Sequence, residues 1–473
     1  MMNLTIGEIA EACGGALFLA DGVDSAANVS CGVIDSRQAG EGALFFAVKG
    51  ERVDGHKFVS QVFANGALAA VVEKTPEQAE AEFGEPCKWG SYILVENTLE
   101  ALKKVAEFYR VKTGIPVVGI TGSVGKTSTK EFIAGVLAEK FNVLKTEGNF
   151  NNEIGVPLTL LRIRPEHELA VVEMGISDFG EMHRLSKMAR PDVCVITNIG
   201  QCHLENLIDR DGVLRAKSEI FDFCAENAAV VLNGDDDKLR TITAVKGMAP
   251  HFFGMNESDT TQVYAKDVQA RGLFGSDAVI HTPESEFSVR VSLPGFHMVL
   301  NSVAATCVAR RFGLTDEQIA AGIEKVKPVA GRANLIAGDH FTILDDCYNA
   351  NPGSMRAALD LLSMADTEKV AILGDMFELG ENAEELHAGV GTYAAEKGME
   401  RIICVGEMSA KMYEAAIEAC VETKQISYFP TLSSLLDCLR EAREEYVPDG
   451  CTVLIKASHG MHLSEVLELL KEV

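Results

Sequence analysis

No lysine or arginine occurs in the first 36 residues, so the amino terminus lacks the basic region that opens a secretory signal. No apolar run reaches the roughly 18 residues that span a bilayer. A cytoplasmic location without membrane insertion is therefore expected. Twelve cysteines are present but no CxxC pair, which speaks against a disulfide framework and a zinc centre and in favour of reduced thiols in cores. No run of Lys and Arg interrupts a formal charge of −26, so a surface that neutralises many nucleic-acid phosphates is excluded, and any anionic ligand must be met locally. Long coiled-coil heptads and internal repeats are also missing. Hydrophobic residues at 47% and charged residues at 24% describe an ordered globular chain. At 473 residues it is long for one core, and about 100–200 residues per domain predicts three.

Three α/β blocks are expected. The first, 1–90, opens with Thr5 and Glu8 at capping-box spacing before a short helix ending at paired glycines, followed by strand "GALFFAVKG", helix "HKFVSQVFANG" and strand "ALAAVVEK". "EFGEPCKWGS" reads as a linker. The second, 91–326, begins with a helix near Asn97 and continues with the strand "IPVVGI", a glycine-bearing loop, and a helix with Phe132, Ile133, Val136, Leu137 and Phe141 at helical spacing. Strands "ELAVVEMGI", "DVCVITNIG" and "AAVVLNG" follow, each running into a polar loop, as in an open sheet whose ligands lie beyond the carboxyl ends of its strands. The third, 327–473, alternates strand and helix in a doubly wound, Rossmann-like pattern, but no GxGxxG follows its first strand and a dinucleotide site is not predicted.

The loop reads "GITGSVGKTST". A phosphate loop needs glycines that let successive N–H groups point inward, a helix N-terminus, a Lys for the terminal phosphates and a hydroxyl for magnesium. Gly122, Gly125, Lys126 and Thr127 supply these, within a candidate nucleotide-binding stretch Thr121, Gly122, Ser123, Val124, Gly125, Lys126, Thr127 and Ser128. Ile120 stands where the general pattern has its first glycine. Further on, Glu173 ends one apolar strand and reads either as a solvated terminus or as a ligand; His203 follows another and reads as structural or as a ligand. Both are expected at the exposed strand edge beside the loop. A carboxylate with a histidine there suggests a second metal site beyond the one Thr127 serves.

"ITGSVGKTSTKEF", "GNFNNEIGVPLTLL", "VVEMGIS", "TNIGQCHLE", "AKSEIF", "GFHMVLNSVAA", "PVAGR" and "DDCYNANPGSM" together resemble, in order and approximate spacing, the Mur ligases of bacterial peptidoglycan synthesis. "YNANP", "LGDMFELGE" and "DSRQAGEGALFFAVKGERVDGHKF" are most similar to the branch that adds D-alanyl-D-alanine to UDP-N-acetylmuramoyl-tripeptide (UDP-MurNAc-tripeptide). The resemblance implies an amino-terminal UDP-binding domain, a central ATP-binding domain and a carboxyl-terminal Rossmann-like domain. It also implies ATP and Mg2+ as cofactors, an acyl-phosphate route, domain closure over the substrates and a monomeric enzyme. By the same resemblance Lys126, His203 and Lys217 are catalytic, and Thr127, Glu173, His203 and Lys217 serve the metals. Asn301 contacts adenine, Arg332 a phosphate, and Asp346 the ribose or phosphate side. Tyr348, Asn349 and Asn351 face the incoming dipeptide, and Ser36, Arg37 and Lys49 the UDP moiety. For Asn351 before Pro352 a turn residue is the competing reading, and for Lys217 a surface lysine. The chain departs from the family pattern at Cys202, commonly Ala, and at Ala457 and His459, usually Gly and Arg. Other family members, such as the enzyme adding the third peptide residue, and P-loop switch proteins are the alternatives.

Overall fold

Alternate residues of the central strands point into two different cores. Val118 and Ile120, Leu169 and Val171, Val193 and Val195 pack on one side; Val117, Ala170, Val172, Cys194 and Ile196 pack on the other. A sheet buried on both faces needs a continuous apolar run rather than an alternating one, and the β-branched "VVGI", "LAVVE" and "VCVI" provide it. The computed structural model describes residues 2–50, 53–84, 86–419 and 425–472. Met1 and Val473 at the ends of the expected blocks, Glu51 and Arg52 of "GERVDGHKF", Glu85 of the expected linker and Cys420 lie outside the described residues.

The central sheet has nine strands, in the order Glu286–Val291, Ser276–His281, Thr261–Ala270, His251–Gly254, Ala229–Asn233, Val193–Ile196, Val117–Thr121, Leu169–Glu173 and Val143–Lys145. It is parallel from Thr261–Ala270 through Val143–Lys145, and the two outer strands turn back antiparallel. Val117–Thr121 lies between Leu169–Glu173 and Val193–Ile196, so the loop after it opens between their carboxyl ends.

The first sheet has five strands, in the order Ala16–Phe18, Ser91–Leu94, Ala69–Val72, Leu44–Phe46 and Gly32–Val33. Ser91–Leu94 is an interior strand paired on both sides, so this sheet extends past the expected boundary at 90. The run "SYILV" lies beyond the turn-rich segment, yet it must pair with Ala69–Val72 to cover that strand's open edge. Thr5 and Glu8 form the expected capping box and Gly14 ends the helix in the left-handed region. Helix Thr98–Thr113, capped by Asn97, joins the first sheet's core to the central sheet.

The third sheet has six strands, in the order Asn334–Ala337, Thr342–Asp345, Thr452–Lys456, Lys369–Gly374, Arg401–Val405 and Gln425–Phe429, all parallel except the first. Its core is continuous with one face of the central sheet through residues such as Ala333, Leu344 and Met355. Among the described residues no helix is long and apolar enough to cross a membrane. Cys13, Cys194, Cys202, Cys224, Cys307, Cys404 and Cys451 are buried thiols.

Phe132, on helix Lys126–Leu137, is fully buried beneath the central sheet. Phe132→Ala is expected to cost about 3–5 kcal/mol, read as a lower urea midpoint with an unchanged slope; an unshifted midpoint would contradict this packing.

Candidate functional site

The glycine-bearing loop joins strand Val117–Thr121 to helix Lys126–Leu137. Gly122 has φ +151°, and a Cβ there would lie 1.9 Å from Thr197 Oγ1, so only glycine fits. Gly125, at φ +82°, precedes a helix without a side-chain cap, leaving first-turn N–H groups for an anion. The back of the loop is tied to the end of the next strand. Ser123 N donates to Asn198 O at 3.0 Å and Val124 N to Asn198 Oδ1 at 2.9 Å. Thr197 Oγ1 and Asn198 Nδ2 donate to Val124 O at 2.6 and 2.9 Å. Cys202, one of the departures, sets its thiol 3.1 Å from Ser123 Oγ and so fills space under the loop.

Lys126 turns its ammonium onto Gly122 O at 2.8 Å. Burial, with the nearby charges of Lys217 and Arg332, lowers its pKa to about 8. Concentrated positive charge of this kind is relieved by a polyphosphate.

Glu173 ends its strand as expected but is fully buried, not at an exposed edge. Its Oε1 accepts from Thr127 Oγ1 at 3.1 Å and Asn151 Nδ2 at 2.9 Å. Its Oε2 has no hydrogen-bond partner, with Lys130 Nζ 3.7 Å away. Strand Leu169–Glu173 carries the carboxylate inward because the strands on both sides and helix Lys126–Leu137 close over it. Lys217 is not a surface lysine either. On helix Arg210–Ser218 it is fully buried, its Nζ has no hydrogen-bond partner, and burial lowers its pKa. An ammonium in that position is unfavourable unless something accompanies it.

His203 has φ +52° and turns its Nδ1 to Glu378 Oε2, 2.5 Å away on the third domain, which holds the Glu378 carboxyl below the usual range. Among the described residues no three His, Cys, Asp or Glu side chains gather as a metal cluster, so His203 and Glu173 do not form one by themselves.

A cleft of about 500 Å³ opens between the central and third domains. Ser123, Val124, Gly125, Lys126, Ser128, His203 and Asn301 line it from the central domain; Arg332, Asp346, Tyr348, Asn349 and Asn351 line it from the third. Thr121, Gly122, Thr127, Glu173 and Lys217 lie behind this lining. Asn301 Oδ1 accepts from Thr129 Oγ1 at 3.0 Å. Arg332 stacks its guanidinium 4.1 Å over the Tyr348 ring, and His459, another departure, lies 5.5 Å from the same ring. Asp346 accepts from Lys456 Nζ at 2.6 Å. Asn351 caps helix Pro352–Ser363 by accepting from Ser354 N at 2.9 Å, so the local turn role is present beside any ligand role.

Ser36, Arg37 and Lys49 do not line this cleft. They follow Gly32–Val33 and Leu44–Phe46, two parallel neighbours, and so share the carboxyl edge of the first sheet. The Arg37 side chain is 87% exposed and paired with Asp35 at 2.6 Å.

Five polar residues that sequence reasoning left without a role contribute here: Lys130, Asn151, Asn198, Glu378 and Lys456. Their strings are recognisable, but their partners are far away in the chain: Lys456 meets Asp346 across 110 positions and Asn198 meets Val124 across 74.

Gly122→Ala is expected to push the loop off Thr197 and to weaken ADP binding by at least about tenfold, or ~1.4 kcal/mol, with the fold retained. Calorimetry that showed wild-type affinity would contradict the steric argument.

Three family models match the chain in succession: Mur ligase family, catalytic domain, over 29–110; Mur ligase middle domain over 120–309; and Mur ligase, glutamate ligase domain, over 331–459. The UDP-N-acetylmuramoyl-tripeptide--D-alanyl-D-alanine ligase of Bacillus subtilis (strain 168) is 35% identical, covering 93% of this chain and 92% of that protein. The protein of the same name from Escherichia coli (strain K12) is 32% identical over 100% of this chain and 99% of its own. Among solved structures, a MurF crystal structure from Acinetobacter baumannii superimposes with a TM-score of 0.87 at 32% identity, covering 99% of both chains. MurF ligase from Thermotoga maritima in complex with ADP gives 0.79 at 31% identity, covering 93% of this chain and 97% of that one. With three family models matching in succession, a matching three-domain fold and full-length relatives above 30% identity, the chain belongs to the Mur ligase family.

Proposed function

We propose that the chain is an ATP-dependent ligase that joins D-alanyl-D-alanine to UDP-MurNAc-tripeptide, releasing ADP and phosphate. The observation that carries this reading is one cleft in which the phosphate loop of the central domain faces Arg332, Asp346, Tyr348 and Asn349 of the third. The names of the full-length relatives supply the substrates. The monomeric state expected for the enzyme is carried over as part of this proposal.

The reaction asks for little covalent help from the protein. A carboxylate oxygen of the tripeptide attacks the γ-phosphorus, the bond to the β–γ bridging oxygen breaks, and ADP leaves. The dipeptide amine then attacks the acyl carbon, the bond from that carbon to the phosphorylated oxygen breaks so that phosphate departs with it, the other oxygen stays as the amide carbonyl, and the nitrogen loses a proton. An α-amino group with a pKa of about 7.7–8 is on the order of one-tenth neutral near pH 7, so a dedicated catalytic triad is not required. What remains is charge neutralisation and positioning, the latter worth up to about 7–11 kcal/mol in favourable cases. Lys126 and the N–H groups of the following helix hold the terminal phosphates, with Thr121 to Ser128 forming the cradle. Asn301 takes the adenine, Arg332 reaches a phosphate from the third domain, and Asp346 takes the ribose or phosphate side. Tyr348, Asn349 and Asn351 receive the dipeptide, while Ser36, Arg37 and Lys49 hold the UDP moiety at the edge of the first sheet.

The residues present fit magnesium. Glu173 Oε2 is buried without a hydrogen-bond partner beside the Thr127 hydroxyl, and hard oxygen donors suit this ion. Thr127 and Glu173 would hold one ion, and His203 with Lys217 a second; bound there, magnesium offsets phosphate charge. Lys217 joins as a carbamate. Its neutral amine adds carbon dioxide, an N–C bond forms and one proton leaves, giving a carboxylate-like oxygen donor in place of a buried ammonium.

Two outcomes are expected. Phosphate release requires both UDP-MurNAc-tripeptide and D-Ala-D-Ala and yields ADP; AMP with pyrophosphate would contradict the reading. Lys217→Ala loses about 10–100-fold in turnover and regains part of it with added acetate, while Lys217→Arg does not. Full activity of Lys217→Ala without acetate would show that the carbamate is not needed.

A further inference from the structure

We infer that Glu378, in the third-domain segment "DMFELGE", is a positioning residue that fixes the tautomer and orientation of His203 and so couples docking of the third domain to the phosphate end of the cleft. The inference rests on the ligase reading for its kinetic consequence and on geometry alone for its structural one.

The segment carrying Glu378 is held rigidly from behind. Asp375 accepts from Ser409 N and Ser409 Oγ at 2.7 and 2.6 Å. Met376 N donates to His387 Nε2 at 2.9 Å, and His387 is itself fully buried. Phe377 N donates to Ser458 Oγ at 2.9 Å. Three successive residues are therefore anchored in the third domain, and the next one crosses to the central domain.

Glu378 makes that crossing twice. Its carbonyl accepts from Leu204 N at 3.2 Å and its carboxylate meets His203 Nδ1 at 2.5 Å. Both Glu378, at φ +61°, and His203, at φ +52°, are non-glycine residues in the left-handed region. Such conformations persist where surrounding structure holds them, and both residues lie at one contact between domains. Gly380, at φ +68°, keeps the segment close to Leu204 and Glu205.

An ionised carboxylate only accepts, so Nδ1 of His203 carries a proton, and in the neutral ring Nε2 is then the nitrogen with the lone pair. His203 lines the cleft, whose other wall includes Arg332 and Asp346. The carboxylate thus decides which ring nitrogen can act as a ligand or acceptor there, in the way that outer carboxylates orient histidines at metal sites. When the third domain is displaced, Glu378 leaves with it and the ring loses its fixed orientation.

The test compares full-length wild type, Glu378→Gln and Glu378→Ala. The Glu378 side chain is 54% exposed, so neither change leaves a cavity, and equal melting temperatures check the fold. Long-range proton–nitrogen correlations on protein with nitrogen-15 histidine, free of nucleotide and metal at pH 8.5, report the ring; His203→Gln assigns the signal. Nδ1–H is expected in wild type and in Glu378→Gln, whose amide oxygen still accepts, and its loss is expected in Glu378→Ala. In steady state Glu378→Ala should lower kcat by about 10–100-fold with the KM for D-Ala-D-Ala within about twofold, and Glu378→Gln should recover most of the loss. An unchanged tautomer in Glu378→Ala overturns the inference, and so does a changed tautomer with wild-type kcat. If wild type itself joins no dipeptide, the functional reading has failed, and the tautomer arm alone decides the positional claim.

Discussion

A polyphosphate and a carboxylate repel each other, and a chain with a formal charge of −26 must nevertheless hold them side by side. The site meets this by burying cations around one point rather than by carrying a basic surface. Lys126 and Arg332 face the cleft, Lys217 and Lys130 lie behind it, and Lys456 sits under Asp346. Lys126 opens helix Lys126–Leu137 and Lys456 ends strand Thr452–Lys456, while Lys130 and Lys217 lie within helices Lys126–Leu137 and Arg210–Ser218. Burial lowers the pKa of both Lys126 and Lys217, and for Lys126 the neighbouring charges of Lys217 and Arg332 add to the effect.

The sheet architecture brings these groups together. Val117–Thr121 is flanked on both sides by parallel strands, so its loop can be tied to Thr197 and Asn198 on one side while Glu173 approaches Thr127 on the other. The third domain then adds Arg332 and Asp346 across the cleft, with Arg332 held flat against Tyr348. The His459 ring lies 5.5 Å from that same tyrosine ring.

Much of this was legible in the sequence because it is local. The phosphate loop shows as a glycine and lysine pattern between an apolar run and a helical one; the eight third-block segments read from pattern occur as strands Thr342–Asp345, Lys369–Gly374, Arg401–Val405 and Thr452–Lys456 and helices Pro352–Ser363, Ala383–Glu396, Leu432–Tyr446 and Ser464–Lys471. What was not legible depends on pairing at a distance. Strands Ser276–His281 and Glu286–Val291 alternate buried with more exposed residues and carry many polar side chains, so their apolar signal is weak without the neighbour they pair with. Glu173 was expected at an exposed strand edge, and a surface lysine was the competing reading for Lys217, because nothing adjacent in sequence covers them; the covering comes from elements packed in three dimensions. Lys456 and Glu378 were unassigned for the same reason, since their partners lie in other elements.

The central claim is that the tripeptide carboxylate is phosphorylated before the dipeptide amine attacks. Its most direct test is to label both oxygens of that carboxylate with oxygen-18 and to follow the label by mass spectrometry during turnover with unlabelled ATP and D-Ala-D-Ala. The account predicts one oxygen-18 atom in each phosphate released and one retained in the new amide. Phosphate free of the label would contradict it.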